Sequence, residues 1–189
     1  MSRILPIAAV AAVLLILLGV GGVAYGLSLE ERNDFCASCH TQPESAYYAR
    51  AQQSPHPDLA SIHLSKSVKC IDCHGGAPPA DRVAGLLQGA HDYVLYLSGS
   101  YHRPALTTNP LPDANCVKCH NDLFQTRTLN NHWHYYLPAW QQALGPKAAA
   151  CIDCHNSHSL YAHGNLVKFV PDTKINPICQ SCHLYQGIR

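Results

Sequence analysis

The pattern Cys-x-x-Cys-His occurs five times in this 189-residue chain and accounts for all ten of its cysteines. In covalent haem attachment, two thiols form thioethers to one macrocycle and the adjoining histidine binds its iron, so the chemistry requires this spacing. We therefore expect five covalently bound haems of the c type, each with its iron. The attachment cysteines are Cys36, Cys39, Cys70, Cys73, Cys116, Cys119, Cys151, Cys154, Cys179 and Cys182. The adjoining iron ligands are His40, His74, His120, His155 and His183.

Two other uses of cysteine explain the pattern less well. A Cys-x-x-Cys pair can form half of a zinc ribbon or a thiol redox motif, but neither requires a histidine directly after every second cysteine. A disulfide framework would suit ten cysteines in an extracytoplasmic chain. The single rigid spacing of the cysteines argues against that framework.

An uncharged segment near the N-terminus is long enough to cross a membrane. Ile4 to Leu27 contains 24 residues without a charge, which as a helix span about 36 Å, against about 30 Å of hydrocarbon. We expect residues 1–29 to form a single transmembrane anchor in the cytoplasmic membrane and residues 30–189 a haem domain on the periplasmic side. A cleaved signal peptide ending near Gly22-Val23-Ala24 is the alternative, although its apolar run would exceed the usual length of about 7–15 residues.

The domain after the anchor has too few residues per haem for an ordinary hydrophobic core. We expect a mainly α-helical fold with much irregular structure, packed around the haems. Helices are predicted over Glu44 to Gln53 and over Asp81 to Leu97, with Asp81 as the N-cap. Asp34 and Asn115 are predicted to cap the short turns that carry haem motifs. No segment shows the alternation typical of a β-strand.

The spacing of the motifs indicates a duplicated two-haem unit. Cys36 and Cys70 lie 34 residues apart, while Cys116 and Cys151 lie 35 residues apart. The second motif of each pair reads Cys-Ile-Asp-Cys-His. The motif at Cys179 is then an added element near the C-terminus, and a chance coincidence of spacing is the alternative.

Histidine is the expected second axial ligand of each haem. The only methionine, Met1, lies across the membrane from the haems, which excludes the methionine ligand that raises potential in many cytochromes. Eight histidines lie outside the motifs. We expect most of them to bind iron, with His56 as the non-ligand and one of His132 and His134 as a spare. The ligand candidates are His63, His91, His102, His132, His134, His158 and His163.

Several of these features together resemble the NapC/NirT family of membrane-anchored multihaem cytochromes. They are the N-terminal helix, the first motif within Phe35 to Thr41, His63, the second motif within Val68 to His74, and the paired motif order. The resemblance covers approximately residues 1–160. The fifth motif departs from the four-haem module common in that family, and Gln42 follows Thr41 where some relatives place a methionine ligand.

The resemblance implies oxidation of a membrane quinol near the first haem and delivery of electrons to a periplasmic redox protein. A quinol site needs a proton acceptor and hydrogen-bonding groups at the membrane surface. By type and position, the candidates are Asp34, Lys66, Arg82 and Asp92. Solvated charges or haem-propionate contacts explain these four equally well, and Lys69 and Arg103 are expected as propionate contacts.

Two other functions stay open. The chain also resembles the anchored pentahaem subunit of alternative complex III, which would make it a non-catalytic electron wire among other subunits of a membrane complex. A small nitrite or oxyanion reductase is the third possibility, but it needs an open iron site, and the extra histidines argue against one. Nucleic-acid binding is excluded because the sequence contains no basic run.

Overall fold

The computed structural model describes residues 4–39, 42–102, 104, 110–155, 157–158 and 169–187. Across these ranges the chain forms α-helices and short 3-10 turns joined by irregular segments. Their only β-type pairing is an isolated bridge between His155 and Phe169. This confirms the predicted class, a mainly helical fold with much irregular structure.

The first helix, α1, spans Ile4–Glu30 and contains 27 residues. At about 1.5 Å per residue it is about 40 Å long, more than the hydrocarbon thickness of a bilayer. Its apolar side chains are exposed on all sides, and Leu18 for example is 73% exposed. In the part of the chain that the structure describes, α1 is the one helix long and apolar enough to cross a membrane.

Within the described ranges, nine shorter helices follow α1. The cysteine pair of each motif lies on one of them, because the tight Cys-x-x-Cys spacing suits a single helical turn. The helices are α2 (Asn33–Cys39), α3 (Glu44–Ala51), α4 (Leu59–Leu64), α5 (Cys70–His74), α6 (Pro79–Ser98), α7 (Ala114–His120), α8 (His132–Leu144), α9 (Cys151–Cys154) and α10 (Asp172–Tyr185). The motif-bearing helices are α2, α5, α7, α9 and α10.

The two predicted helices are present as α3 and α6, but the predicted caps were wrong. Helix α6 begins at Pro79, since proline at the first helical position loses no hydrogen bond, and Asp81 lies inside its first turn. Asp34 and Asn115 lie inside α2 and α7, because these helices begin before them.

Few side chains of the described residues are buried. Trp140 and Ala149 are the only buried hydrophobic residues among them, while Asp58 and Ser61 are fully buried polar residues. Burial on this scale cannot offset the conformational entropy that a folded chain of this length loses. The apolar interior of the protein must therefore include more than its own side chains.

A polar cluster holds α3, α4 and residues 157–158 together. Asp58 caps α4 by accepting a hydrogen bond from the Ser61 backbone nitrogen at 2.8 Å. Arg50 of α3 lies 3.5 Å from the Asp58 carboxylate and donates to the His158 carbonyl at 2.6 Å. The Ala60 backbone nitrogen also donates to the Ser157 carbonyl at 3.0 Å. These bonds fix His158 relative to α4, which carries His63.

Candidate functional site

The first two motifs and the third and fourth motifs are paired by the same contact. The Asn33 side-chain oxygen accepts a hydrogen bond from the Cys70 backbone nitrogen at 2.9 Å. The Asp113 carboxylate accepts one from the Cys151 backbone nitrogen at 2.7 Å. Each acceptor lies three residues before the first cysteine of its pair and caps the helix of the second motif. This repeated contact supports duplication of a two-motif unit.

Within each pair, the leading cysteines of the two motifs contact each other. Before haem is attached, a hydrogen bond between the thiols raises the pKa of Cys36 and lowers the pKa of Cys70 to about 7. The corresponding bond lowers the pKa of Cys116 to about 7 and raises that of Cys151. The two attachment sites of a pair are therefore immediate neighbours.

Contacts between motifs also run from one pair to the next. The Asn115 side chain of α7 donates to the Cys73 carbonyl of α5 at 2.7 Å, which joins the second and third motifs. Helix α9 packs against α10, which joins the fourth and fifth. The first motif lies on α2, which packs against α1 and bonds to its end through Arg32. The motifs therefore follow one another in space in their sequence order, beginning at α1.

Among the described residues, four motif histidines each face a histidine from elsewhere in the chain. An imidazole nitrogen bonds a transition metal at about 2 Å and lies about 1.1 Å from the ring centre, so two rings on opposite sides of one metal have centres about 6 Å apart. The observed separations fit an iron between the rings. The centre distances and interplanar angles are 6.0 Å and 89° for His63 and His120, 6.2 Å and 16° for His74 and His158, 6.0 Å and 4° for His134 and His155, and 6.3 Å and 49° for His132 and His183.

Hydrogen bonds fix the tautomer of three of the facing histidines. His63 Nδ1 donates to the Leu59 carbonyl at 2.9 Å, and His132 Nδ1 donates to the Leu129 carbonyl at 2.7 Å. His134 Nδ1 lies 2.9 Å from the Asn131 side-chain oxygen. Because these oxygens can only accept, Nδ1 carries the proton and Nε2 keeps its lone pair for a metal.

Burial favours the neutral imidazole at two of these positions, as metal ligation requires. It lowers the pKa of His134 and of His158. The ring of His158 also stacks on Tyr47, with centres 4.4 Å apart and planes 5° apart. This stacking fixes the plane of the His158 ring.

The other histidines outside the motifs are not seen facing a motif histidine in the described residues. His91 and His102 are exposed, and no imidazole faces either of them within the described residues. His56 is half-buried, and its Nδ1 has no hydrogen-bond partner among the described residues. His40, His163 and Arg103 lie outside the described residues.

The structure does not bring the four quinol-site candidates into contact with one another within the described residues. Asp34, Arg82 and Asp92 each bond to a residue that was not a candidate. Asp34 pairs with Arg32 at 2.6 Å on the exposed surface. Arg82 forms an ion pair with Glu30, the last residue of α1.

The other two candidates lie elsewhere. Asp92 accepts a hydrogen bond from Gln88 at 2.8 Å. Lys66 is exposed in the turn after α4.

Lys69, the predicted propionate contact, pairs with Glu31 at 2.6 Å. Arg82, Lys69 and their partners therefore tie the motif-bearing part to the end of α1.

Comparison with known families covers nearly the whole chain. Residues 2–163 match the NapC/NirT cytochrome c family, N-terminal region. The chain belongs to the NapC/NirT cytochrome c family. Residues 145–186 match the doubled CXXCH motif. No curated protein and no solved structure matches the chain.

As a NapC/NirT cytochrome, the protein is a membrane-anchored, single-pass multihaem cytochrome of electron transfer, with c-type haem bound covalently. The fourth motif, Cys151 to His155, lies within both matched regions. The C-terminal motif is thus joined to the NapC/NirT region through a motif that the two matches share.

Sequence reasoning missed residues of the site that bind no haem themselves. Asn33 and Asp113 share a position three residues before a leading cysteine, and this common position was a usable signal. Asn131, the partner of His134, stands three residues before that histidine. Glu30 belongs to the same charged run as the predicted Asp34.

Proposed function

We propose that this protein is a pentahaem cytochrome that takes electrons from membrane quinol and passes them to a redox partner in the periplasm. The observation that carries the proposal is the order of the motifs, which begins directly beyond α1 and continues through contacts between successive motifs. Bound haem supplies reversible one-electron chemistry. The order supports entry of electrons at the membrane end, where quinol is dissolved, and their exit at the far end.

The four facing pairs of histidines are the proposed axial ligands of four irons. In each pair, a motif histidine is matched by one from another segment, so every proposed site ties two parts of the chain together. The pairs are His63 with His120, His74 with His158, His134 with His155, and His132 with His183. His40 of the first motif is proposed to pair with one of His91, His102 and His163.

His132 and His134 both act as ligands in this proposal. They stand two residues apart in the first turn of α8, and each faces a different motif histidine. Neither is then the spare that their spacing suggested, because they serve the fifth and fourth sites separately. Helix α8 thereby joins the added C-terminal site to the preceding pair.

The paired histidines favour electron transfer over reduction of nitrite or a similar oxyanion. Reduction at iron requires an open axial position where the substrate can bind. In four of the five proposed sites, two imidazoles face each other at a separation that an iron would fill, so a bound iron would have no open axial position there.

Arg82 and Glu30 are the proposed centre of the quinol site. Their side chains are partly buried, with 31% and 24% exposed, and they join α6 to the end of α1. A carboxylate in this position can accept a proton while its arginine partner donates a hydrogen bond to a quinol oxygen. Asp34, Lys66 and Asp92 remain proposed contributors around this pair.

Quinol oxidation is tested with the purified full chain in lipid nanodiscs, by following haem reduction after addition of a ubiquinol or menaquinol analogue. Arg82→Met should slow this reduction about tenfold, the effect of losing one charged hydrogen bond. Reduction by dithionite should be unchanged. Lys69→Met is the control: it removes only the exposed ion pair with Glu31, and quinol should reduce its haems at the wild-type rate.

Wild-type protein that dithionite reduces completely but that neither quinol reduces would contradict quinol oxidation. That outcome would favour the second function, an electron wire that receives electrons from another subunit of a membrane complex. Equal slowing by Arg82→Met and Lys69→Met would remove Arg82 from the proposed quinol site.

A further inference from the structure

Both N–H donors and the oxygen of the Asn131 side-chain amide make hydrogen bonds. Its nitrogen donates to the Leu123 carbonyl at 2.6 Å and to the Thr126 carbonyl at 2.7 Å. Its oxygen faces His134 Nδ1 at 2.9 Å. Because both carbonyls can only accept, the amide nitrogen must point at them and the oxygen must point at the histidine. The orientation of the amide therefore requires the proton of His134 to be on Nδ1.

The hydrogen-bond acceptor at Nδ1 of His134 is of a different kind from the acceptors at two other facing histidines. His63 and His132 donate to backbone carbonyls, which no substitution can remove. The acceptor of His134 is a side chain, itself held by two bonds to the segment before α8. The ring that it holds is parallel to the His155 ring within 4°.

We propose that Asn131 is a positioning residue that sets the tautomer and ring plane of His134 and thereby tunes the reduction potential of the site formed with His155. The inference rests on the proposed ligand pair. An acceptor at Nδ1 makes the opposite nitrogen a stronger donor to a metal, and a stronger donor stabilises the ferric state. Asn131 thus lowers the potential of this site through its hydrogen bond to His134.

The test compares Asn131→Ala with Asn131→Asp in the full chain purified in detergent. Alanine removes the acceptor, so one potential should rise, and the rhombic ferric EPR signal expected of near-parallel imidazoles should move to greater anisotropy as the ring turns. Aspartate keeps an acceptor and makes it anionic, so the same potential should fall while the signal keeps its shape. Potentiometric titration and EPR measure both effects.

Asn130→Ala is the matched control, since Asn130 is the exposed neighbouring asparagine. It should change neither the potentials nor the EPR spectrum. The opposite signs expected for the two Asn131 variants separate positioning from a role in holding the segment at Leu123 and Thr126, because both variants lose the amide nitrogen. Shifts of the same sign, or an unchanged EPR signal in Asn131→Ala, would overturn the proposal. The EPR result for Asn131→Ala decides the matter alone if Asn131→Asp does not accumulate.

His134→Ala distinguishes failure of this inference from failure of the ligand assignment. If His134 is a ligand, this variant should contain one haem that binds carbon monoxide. Such a result, together with an unchanged signal in Asn131→Ala, would remove only the role of Asn131. A His134→Ala protein without any carbon-monoxide-binding haem would overturn the ligand pair and this inference together.

Discussion

The angle between facing imidazole planes differs from one histidine pair to the next. His63 and His120 are nearly perpendicular at 89°, whereas His134 and His155 are nearly parallel at 4°. In low-spin ferric haem with two imidazole ligands, the anisotropy of the EPR signal increases as the planes approach the perpendicular. If the pairs are ligands, the near-perpendicular pair should therefore give a more anisotropic EPR signal than the two near-parallel pairs, His134 with His155 and His74 with His158.

Replacing His63 with alanine leaves His120 without its facing imidazole. We expect one haem per chain to bind carbon monoxide and the most anisotropic EPR signal to disappear, because one iron loses an axial ligand. Carbon-monoxide difference spectra and EPR of the detergent-purified protein measure these changes. His56→Ala is the control and should behave as wild type. Full retention of the signal in His63→Ala, with no haem accessible to carbon monoxide, would show that His63 is not a ligand.

At this scale, the motif residues could be predicted from sequence and the pairing of histidines could not. The spacing within a motif is local, since one macrocycle must reach two thiols and the next imidazole. The facing partners come from distant segments: His63 precedes the second motif but faces the histidine of the third. His158 follows the fourth motif and faces the histidine of the second. Only the folded chain brings them together.

Among the helices, the repeated cap is the feature that defines a two-motif unit. Asn33 and Asp113 lie at the start of one motif helix but use their side chains on the next. This explains why the sequence analysis missed these two caps: capping signals are usually assigned to the helix that follows directly in the chain. The positions of α3 and α6 could be predicted because residue pattern and proline breaks are local signals.

Asp113→Ala should lower the free energy of unfolding by about 1–2 kcal/mol, the usual cost of losing a helix cap. The carboxylate also accepts a hydrogen bond from Gln141 at 2.6 Å, so α8 loosens as well. Urea titration followed by Soret absorbance and tryptophan fluorescence measures the loss. Asp113→Asn keeps an acceptor for the Cys151 nitrogen and should lose less than alanine. Asp122→Ala changes an exposed aspartate and should stay near wild type, so an equal loss there would contradict the capping role.

Over the whole molecule, the order of the motifs in space is the result that spacing in sequence could not supply. A duplicated spacing is compatible with several arrangements of the two units. The Asn115 bond to the Cys73 carbonyl selects one in which the second and third motifs meet. The charged residues Glu30 and Glu31 attach this series to the end of α1 through Arg82 and Lys69.

Replacing residues 1–29 with a cleaved secretion signal should give a water-soluble protein with the same number of haems per chain as the full-length protein. The side chains of α1 are exposed, and the shortened chain keeps Glu30 and Glu31, so the folded domain loses little packing. Mass spectrometry of the denatured chain counts the covalent haems, and five are expected. The shortened protein should be reducible by dithionite but no longer by quinol embedded in nanodiscs. Loss of covalent haem from it would show that α1 is needed for the domain to fold.

The burial of only Trp140 and Ala149 among the described hydrophobic residues has a consequence for biosynthesis. A polypeptide that is exported before haem is attached to it has too few apolar side chains to form a hydrophobic core and stays unfolded. Unfolded chains are removed by proteases. The abundance of the mature protein in a cell should then follow the supply of tetrapyrrole and iron more closely than the level of its messenger RNA.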